Sequence, residues 1–84
     1  MIQLVYFARL RDVLGVDREA VDLPCPMPTV GDIRVWLGRR CGPWRHELVE
    51  NSALCIALNQ EYAGDNEAVM DGDVIAFFPP VTGG

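Results

Sequence analysis

The sequence predicts an α+β roll, in which one main helix packs across a mixed sheet. The order of segments, inferred from hydrophobic periodicity, is strand, strand, helix, strand, strand. Half of the 84 residues are hydrophobic, and they fall in short blocks separated by turn residues, as in a globular protein. A chain of this length makes one domain, so residues 1–84 are predicted to form a single domain.

The first two strands are predicted to form a hairpin. Ile2 to Ala8 is rich in β-branched and aromatic residues, and period-two alternation places Tyr6 on one face and Phe7 on the other. Because both faces are partly apolar, we expect a central strand, covered by a helix on one side and by a partner on the other. Arg9 to Leu14 is predicted to be a short helical turn, and Arg18 to Leu23 the second strand.

The main helix is predicted to begin after Thr29, a typical N-cap residue, with Asp32 near the positive end of the helix dipole. Its apolar stripe consists of Val30, Ile33, Val35, Trp36, Leu37 and Cys41. Gly42-Pro43 is expected to stop this helix, and Trp44 to Glu50 is expected to add one more turn.

The second half of the chain supplies two more strands. Ala53 to Leu58 is predicted as a short buried strand, and Asp71-Gly72-Asp73 as a tight turn into the last strand, Val74 to Phe78. We expect the first and last strands to lie side by side in the middle of the sheet, which is the ubiquitin-like β-grasp arrangement. A ferredoxin-like fold would need a second full helix, and Glu61 to Met70 is too short and turn-rich for one.

Composition restricts the partners and the compartment. The net charge of -5 argues against binding to nucleic acid or to an anionic membrane surface, and it favours a basic partner. The segment Met1 to Phe7 lacks the features of a signal peptide, and no later segment could span a membrane, so we expect a cytoplasmic protein. All seven basic residues are arginine, so the only primary amine is that of Met1.

Side-chain catalysis has few candidates. His46 is the only histidine, has no serine or cysteine at a meaningful spacing, and is predicted to be an exposed surface residue. Cys25, Cys41 and Cys55 are odd in number and far apart, and are interpreted as buried thiols. Neither a glycine-rich phosphate loop nor metal-ligand spacing occurs, so no metal and no bound cofactor are predicted.

The C-terminal tail is the exception. After Asp73 the sequence has no ionisable side chain, so the only titrating group there is the terminal carboxylate. The predicted flexible tail, residues 79–84, consists of Pro79, Pro80, Val81, Thr82, Gly83 and Gly84. Its prolines favour extended geometry, which gives a reach of up to about 20 Å at roughly 3.3 Å per residue. Because glycine lacks a Cβ, the tip can enter a narrow pocket of a partner.

A carboxylate is inert towards sulfur at neutral pH and must first be activated by ATP to an acyl adenylate. No nucleotide-binding motif occurs in the sequence, so this adenylation is expected on a separate enzyme. A thiocarboxylate formed on Gly84 would be ionised and a good nucleophile. The alternative is that Gly83-Gly84 is an ordinary frayed end.

The segment from Asp71 through Phe77-Phe78-Pro79-Pro80-Val81-Thr82-Gly83-Gly84 resembles the C-terminus of the MoaD family, the small subunits of molybdopterin synthase and relatives of the ThiS carriers. Leu58-Asn59-Gln60 resembles the third strand of the family, and Phe7 to Arg11 its first strand and turn. The similarity covers the whole chain and is weakest from Leu23 to Ser52.

The resemblance implies that a MoeB-type activating enzyme adenylates Gly84 with ATP and that a sulfurtransferase supplies the sulfur. The tail would then insert into a MoaE-type large subunit, which carries the catalytic side chains, and sulfur would pass to cyclic pyranopterin monophosphate within a heterotetramer. Family position implies that Phe7, Tyr62 and Phe78 contact the large subunit. Strand alternation independently places Phe7 and Phe78 on the face opposite to Tyr6 and Phe77. The resemblance implies an aliphatic residue at position 62, and Tyr62 departs from it.

Three other functions share these features. A thiamine-pathway sulfur carrier would also be a β-grasp protein, although usually a shorter one without the proline pair. A ubiquitin-like modifier would join its tail to a lysine of a target, and the absence of lysine here excludes self-linked chains through lysine side chains. A non-covalent interaction domain would not need Gly84.

Overall fold

The computed structural model describes residues 1–80. The elements are β1 (Ile2–Tyr6), α1 (Arg9–Leu14), β2 (Arg18–Val21), α2 (Val30–Leu37), the π-helical turn α3 (His46–Glu50), β3 (Cys55–Leu58), β4 (Glu61–Tyr62) and β5 (Val74–Phe78). The sheet order is β2-β1-β5-β3-β4, with β1 and β5 parallel and every other pair antiparallel. The predicted β-grasp roll, with the first and last strands in the middle, is confirmed.

Alternation along the central strands builds the core. In β1 the side chains of Ile2, Leu4 and Tyr6 are buried, as the period-two pattern predicts. Phe77 of β5 is also fully buried, and its ring stacks on that of Tyr6 at a centroid distance of 5.6 Å. The strand ends at Tyr6 rather than at the predicted Ala8, because Ala8 has a φ of 54° and a ψ of -129°, which no strand residue adopts.

Helix α2 begins as predicted and ends earlier. Thr29 Oγ1 accepts a hydrogen bond from the Asp32 backbone N–H at 3.1 Å, and the Asp32 carboxylate accepts one from the Thr29 N–H at 2.9 Å. The helix stops at Leu37, so Cys41 is not part of its stripe, and Val35 is half-exposed rather than buried. Gly38 accounts for the early end, since glycine disfavours continued helix.

The short strand β4 was not predicted. It follows a two-residue turn in which Asn59 and Gln60 both have positive φ, 51° and 72°. The Asn59 side chain accepts a hydrogen bond from the Val74 N–H at 3.0 Å and donates one to Asp73 Oδ1 at 3.0 Å. These bonds tie the β3–β4 turn to the start of β5. Between Glu61 and Met70 there is no helix, as expected.

Glu19 joins the edge strand β2 to the loop after α2. Its carboxylate accepts a hydrogen bond from the Tyr6 hydroxyl at 2.9 Å and two from the Arg40 guanidinium at 2.8 and 3.0 Å. The guanidinium also lies 4.5 Å from the ring centroid of Trp44, in a cation–π contact. The hydrogen bonds from Arg40 lower the pKa of Glu19, whereas burial raises the pKa of Tyr6. Because Glu19 faces inward, its neighbour Arg18 faces outward.

The cysteine prediction is wrong at two of the three positions. Cys25 and Cys41 are exposed, and only Cys55 is partly buried. Cys25 lies in the proline-rich connector before α2 and Cys41 beyond the end of that helix, so neither reaches the core. The prediction for His46 is confirmed, since its side chain is exposed. No helix within residues 1–80 is both long and apolar enough to cross a membrane.

Candidate partner-binding face and tail root

The root of the tail, which is the end of β5 at Phe77 and Phe78, lies in the middle of the sheet. The backbone N–H of Phe7, just after β1, donates a hydrogen bond to the Phe77 carbonyl at 3.1 Å, so the end of β5 is held beside the end of β1. Pro79 is partly buried and Pro80 is exposed. The remaining predicted tail residues, Val81, Thr82, Gly83 and Gly84, lie outside the described residues, and their role stays a prediction.

One face of the sheet carries exposed apolar side chains, and we call it the open face. The core lies on the other face. The apolar side chains of the open face are those of Val5, Phe7, Cys55, Ala57, Tyr62, Val74, Ala76 and Phe78. All of them are partly or fully exposed within residues 1–80. A contiguous apolar surface of this kind is typical of a protein interaction site.

The three aromatic residues predicted as partner contacts all lie on the open face. The Phe7 side chain is 49% exposed and that of Tyr62 78% exposed, whereas Phe78 is partly buried. The rings of Tyr62 and Phe78 are 5.9 Å apart between centroids, with their planes tilted by 52°. The predicted alternation is therefore confirmed, while contact with a large subunit stays a prediction.

The structure adds residues to this face that the sequence did not single out. Val5 pairs with Ala76, Ala76 with Ala57, and Ala57 with Tyr62, so these four residues form a row across the sheet. Strand alternation already predicts Val5 on the same face as Phe7, and it could also have identified Ala76. Cys55, opposite Phe78, required the β3–β5 register, which the sequence does not reveal.

A strained residue and an ion pair fix the position of Phe7. Ala8 has an unfavourable backbone conformation for a residue with a Cβ, and such conformations persist only where the surroundings enforce them. The next residue, Arg9, donates two hydrogen bonds to the buried carboxylate of Glu47 in α3, at 2.8 and 2.9 Å. These bonds lower the pKa of Glu47. The start of α1, two residues after Phe7, is thereby attached to α3.

The candidates for side-chain chemistry within residues 1–80 are the ionisable and metal-ligating groups. Among residues 1–80 no group of three or more histidine, cysteine, aspartate or glutamate side chains could hold a metal ion. His46, the one histidine, makes only an exposed contact with Glu50 at 3.6 Å. The arrangement is that of an exposed apolar surface beside the end of β5.

Fold and site together define a ubiquitin-like β-grasp protein. A solved structure named for subunit 1 of molybdopterin converting factor, from Pyrococcus furiosus, has a TM-score of 0.81 and 34% identity, covering 95% of this chain and 97% of that chain. Small archaeal modifier protein 1 from Haloferax volcanii has a TM-score of 0.78 and 30% identity, covering 99% and 98%. A chain in the solved complex of subunits 1 and 2 of molybdopterin-converting factor from Helicobacter pylori matches with a TM-score of 0.65 and 25% identity. The match covers 99% of this chain and 97% of that chain.

The chain belongs to the ThiS family, whose model matches residues 4–84. Two curated relatives are each called "Molybdopterin synthase sulfur carrier subunit". The relative from Escherichia coli (strain K12) is 37% identical over 84 residues, and the one from Haemophilus influenzae is 39% identical over 84 residues. Each match covers all of both chains. The resemblance to the MoaD family is confirmed.

Proposed function

We propose that this chain is the sulfur carrier subunit of molybdopterin synthase, and that it carries sulfur as a thiocarboxylate on Gly84. The observation that carries the proposal is the combination of full-length similarity to two such subunits with the ending Pro79-Pro80-Val81-Thr82-Gly83-Gly84. The open face beside the tail root supports it, because a carrier must bind a partner while its chain end enters that partner.

The proposed chemistry takes place on the terminal carboxylate. In the adenylating enzyme, of the MoeB type, a carboxylate oxygen attacks the α-phosphorus of ATP, and pyrophosphate leaves. A sulfurtransferase then delivers a hydrosulfide equivalent, whose sulfur adds to the acyl carbon as AMP leaves. ATP is thus used by the activating enzyme and is not a cofactor of this chain. The product is the thiocarboxylate of Gly84.

The carrier then donates its sulfur in the large subunit. The thiocarboxylate sulfur attacks a side-chain carbon of cyclic pyranopterin monophosphate and displaces an oxygen substituent from that carbon. Water then hydrolyses the acyl–sulfur bond, which leaves the sulfur on the pterin and regenerates the carboxylate of Gly84. Two such transfers supply the two sulfurs of the dithiolene. The large subunit would provide the catalytic side chains, so the chain alone is not catalytic.

A large subunit of the MoaE type is the proposed partner at the open face, with Phe7, Tyr62 and Phe78 in contact. The Helicobacter pylori structure, a complex of subunits 1 and 2 of its molybdopterin-converting factor, supports such an assembly. We propose a heterotetramer, with one carrier at each end of a large-subunit dimer, acting in the cytoplasm. Insertion of Pro79, Pro80 and the following residues would bring Gly84 to the large-subunit active site.

Intact-mass spectrometry tests the chemistry directly. The chain is incubated with ATP, a MoeB-type enzyme and a sulfur donor, and the exchange of one oxygen for one sulfur is sought. We expect this exchange in the full chain and none after deletion of Gly84. An unchanged mass, under conditions that convert a known carrier, would contradict the proposed chemistry and favour an ordinary frayed end at Gly83-Gly84.

A protein modifier is the second candidate, favoured by the 30% identity to small archaeal modifier protein 1. In that function the activated Gly84 would form an amide with a lysine of another protein. Incubating the tagged chain with ATP, the activating enzyme and cell extract discriminates the two functions. Covalent adducts of the chain with other proteins, resistant to thiols, would support the modifier; a thiocarboxylate without adducts would support the sulfur carrier.

A further inference from the structure

A pocket of about 270 Å³ opens at the β2 side of the open face, and we call it the Arg18 pocket. Its lining residues are Val5, Tyr6, Phe7, Arg11, Asp17 and Arg18. Arg18 pairs with Val5 across β1 and β2, so both side chains lie on the open face. The pocket is therefore continuous with the apolar surface and adjoins Phe7.

The charge of the Arg18 pocket is unusual for this chain. Three of the seven arginines each have a carboxylate partner that is distant in sequence: Arg9, Arg34 and Arg40 pair with Glu47, Asp65 and Glu19. Arg45 contacts Glu50 of its own helical turn at 3.3 Å. Arg18 has no ion pair among residues 1–80, and Arg11 contacts only its exposed neighbour Asp12, at 3.6 Å. A pocket with two arginines and one aspartate is thus left positive, in a chain of net charge -5.

Covering the open face would remove water from the Arg18 guanidinium. Such desolvation is unfavourable unless the partner provides an anion that forms hydrogen bonds with it. A carboxylate matches the planar guanidinium with two parallel hydrogen bonds, which a neutral group cannot reproduce. Arg11, which also lines the pocket, would add a second positive charge near the same anion.

We propose that the Arg18 pocket receives an acidic side chain of the partner that covers the open face. This inference rests on the proposed function and adds to it one polar contact that fixes the partner's rotation. A partner held by an apolar surface alone can slide and rotate on it, whereas a charge pair at the margin of the surface fixes the partner's position and orientation. The pocket is lined in part by Phe7, whose backbone N–H is hydrogen-bonded to the Phe77 carbonyl at the root of the tail. The contact between Arg18 and the acidic side chain therefore also sets the direction in which the tail enters the partner.

The test measures affinity between the full chain and the large subunit of molybdopterin synthase at low and at high salt. Arg18→Glu is compared with Arg39→Glu, which makes the same charge change at an exposed arginine on α2's side of the molecule. We expect Arg18→Glu to weaken binding by about tenfold, because it removes an attraction and adds a repulsion, and Arg39→Glu to change it less than about twofold. Arg18→Gln should give an intermediate loss.

Salt should weaken binding of the native chain more than binding of Arg18→Gln, since screening acts on the charge pair. Thermal unfolding of each variant shows whether the fold is retained. Equal affinities of Arg18→Glu and Arg39→Glu, together with weakened binding of Phe7→Asp, would overturn this inference but would still support the open face as the interface. Native affinity in Phe7→Asp would overturn both.

Discussion

Arg9 and Glu47 form a two-point ion pair in which the carboxylate is buried and the guanidinium faces solvent. The Glu47 residue is 2% exposed, whereas the Arg9 side chain is 60% exposed. An uncompensated carboxylate at this position would be unfavourable, so the pair is needed to keep α3 against the start of α1. The hydrogen bonds from Arg9 lower the pKa of Glu47 below its ordinary value.

Glu47→Gln should lower the free energy of unfolding by about 1–2 kcal/mol, because two hydrogen bonds between opposite charges become one bond from the guanidinium to a neutral amide oxygen. Since the folded pKa of Glu47 is depressed, its contribution is present above the unfolded value of about 4.5 and is lost as pH falls through the folded pKa. Urea unfolding at neutral and acid pH measures this. The stability difference between variant and native should shrink at acid pH, and a constant difference would contradict the assignment.

Gly38 and Val49 are packed so closely that a methyl group on Gly38 would lie 2.5 Å from Val49 Cγ2. Gly38 has a helical φ of -64°, so alanine suits its backbone and by itself would stabilise by about 0.4–1 kcal/mol. The clash with a stiff β-branched side chain costs about 1–3 kcal/mol and should outweigh that gain. Gly38→Ala should therefore destabilise the native chain.

In a Val49→Ala background Gly38→Ala should raise the free energy of unfolding and not lower it, since the clashing Val49 methyl is absent. A double-mutant cycle by urea unfolding measures both effects. Destabilisation by Gly38→Ala of equal size in both backgrounds would show that Val49 is not the cause.

Phe7→Asp should abolish binding to a molybdopterin synthase large subunit without unfolding the chain. Phe7 is about half-exposed, so the charge has little effect on the core but disrupts an apolar interface. Val35→Asp is the matched control, since Val35 is 50% exposed on α2. Calorimetric titration should show native affinity for Val35→Asp. Equal losses in the two variants would argue against the open face as the interface.

Alkylation of the cysteines should report occupation of the open face. Cys55 lies on this face opposite Phe78, whereas Cys25 and Cys41 are exposed elsewhere. A large subunit bound at the open face should slow alkylation of Cys55 by an order of magnitude or more and leave Cys25 and Cys41 reactive. Peptide mass mapping measures all three rates in one sample. Protection of Cys25 in place of Cys55 would move the interface to the α2 side.

The order of elements and the two faces of the central strands were predictable because they follow from local periodicity. Alternation at Tyr6, Phe7, Phe77 and Phe78 determines which side chains enter the core, and Thr29 determines where α2 begins. These features depend on neighbours in sequence, so one sequence is enough to infer them.

The features that were missed depend on contacts between distant residues. The exposure of Cys41 follows from the end of α2 at Leu37, and the close packing of Gly38 against Val49 of α3 is a contact that no local pattern predicts. Likewise, the position of Cys55 on the open face depends on the β3–β5 register. The Arg18 pocket needs the β1–β2 register together with the position of α1, which no periodicity reveals.

The central position of β5 has a mechanical consequence. From Val74 to Phe78 this strand is hydrogen-bonded to β1 on one side and to β3 on the other. A force applied at Pro79-Pro80 along the strand direction would load both rows of hydrogen bonds in shear, so they would have to break together and not one after another. The sheet should therefore keep its shape when the segment after β5 is pulled, and the fold would act as an anchor for that segment.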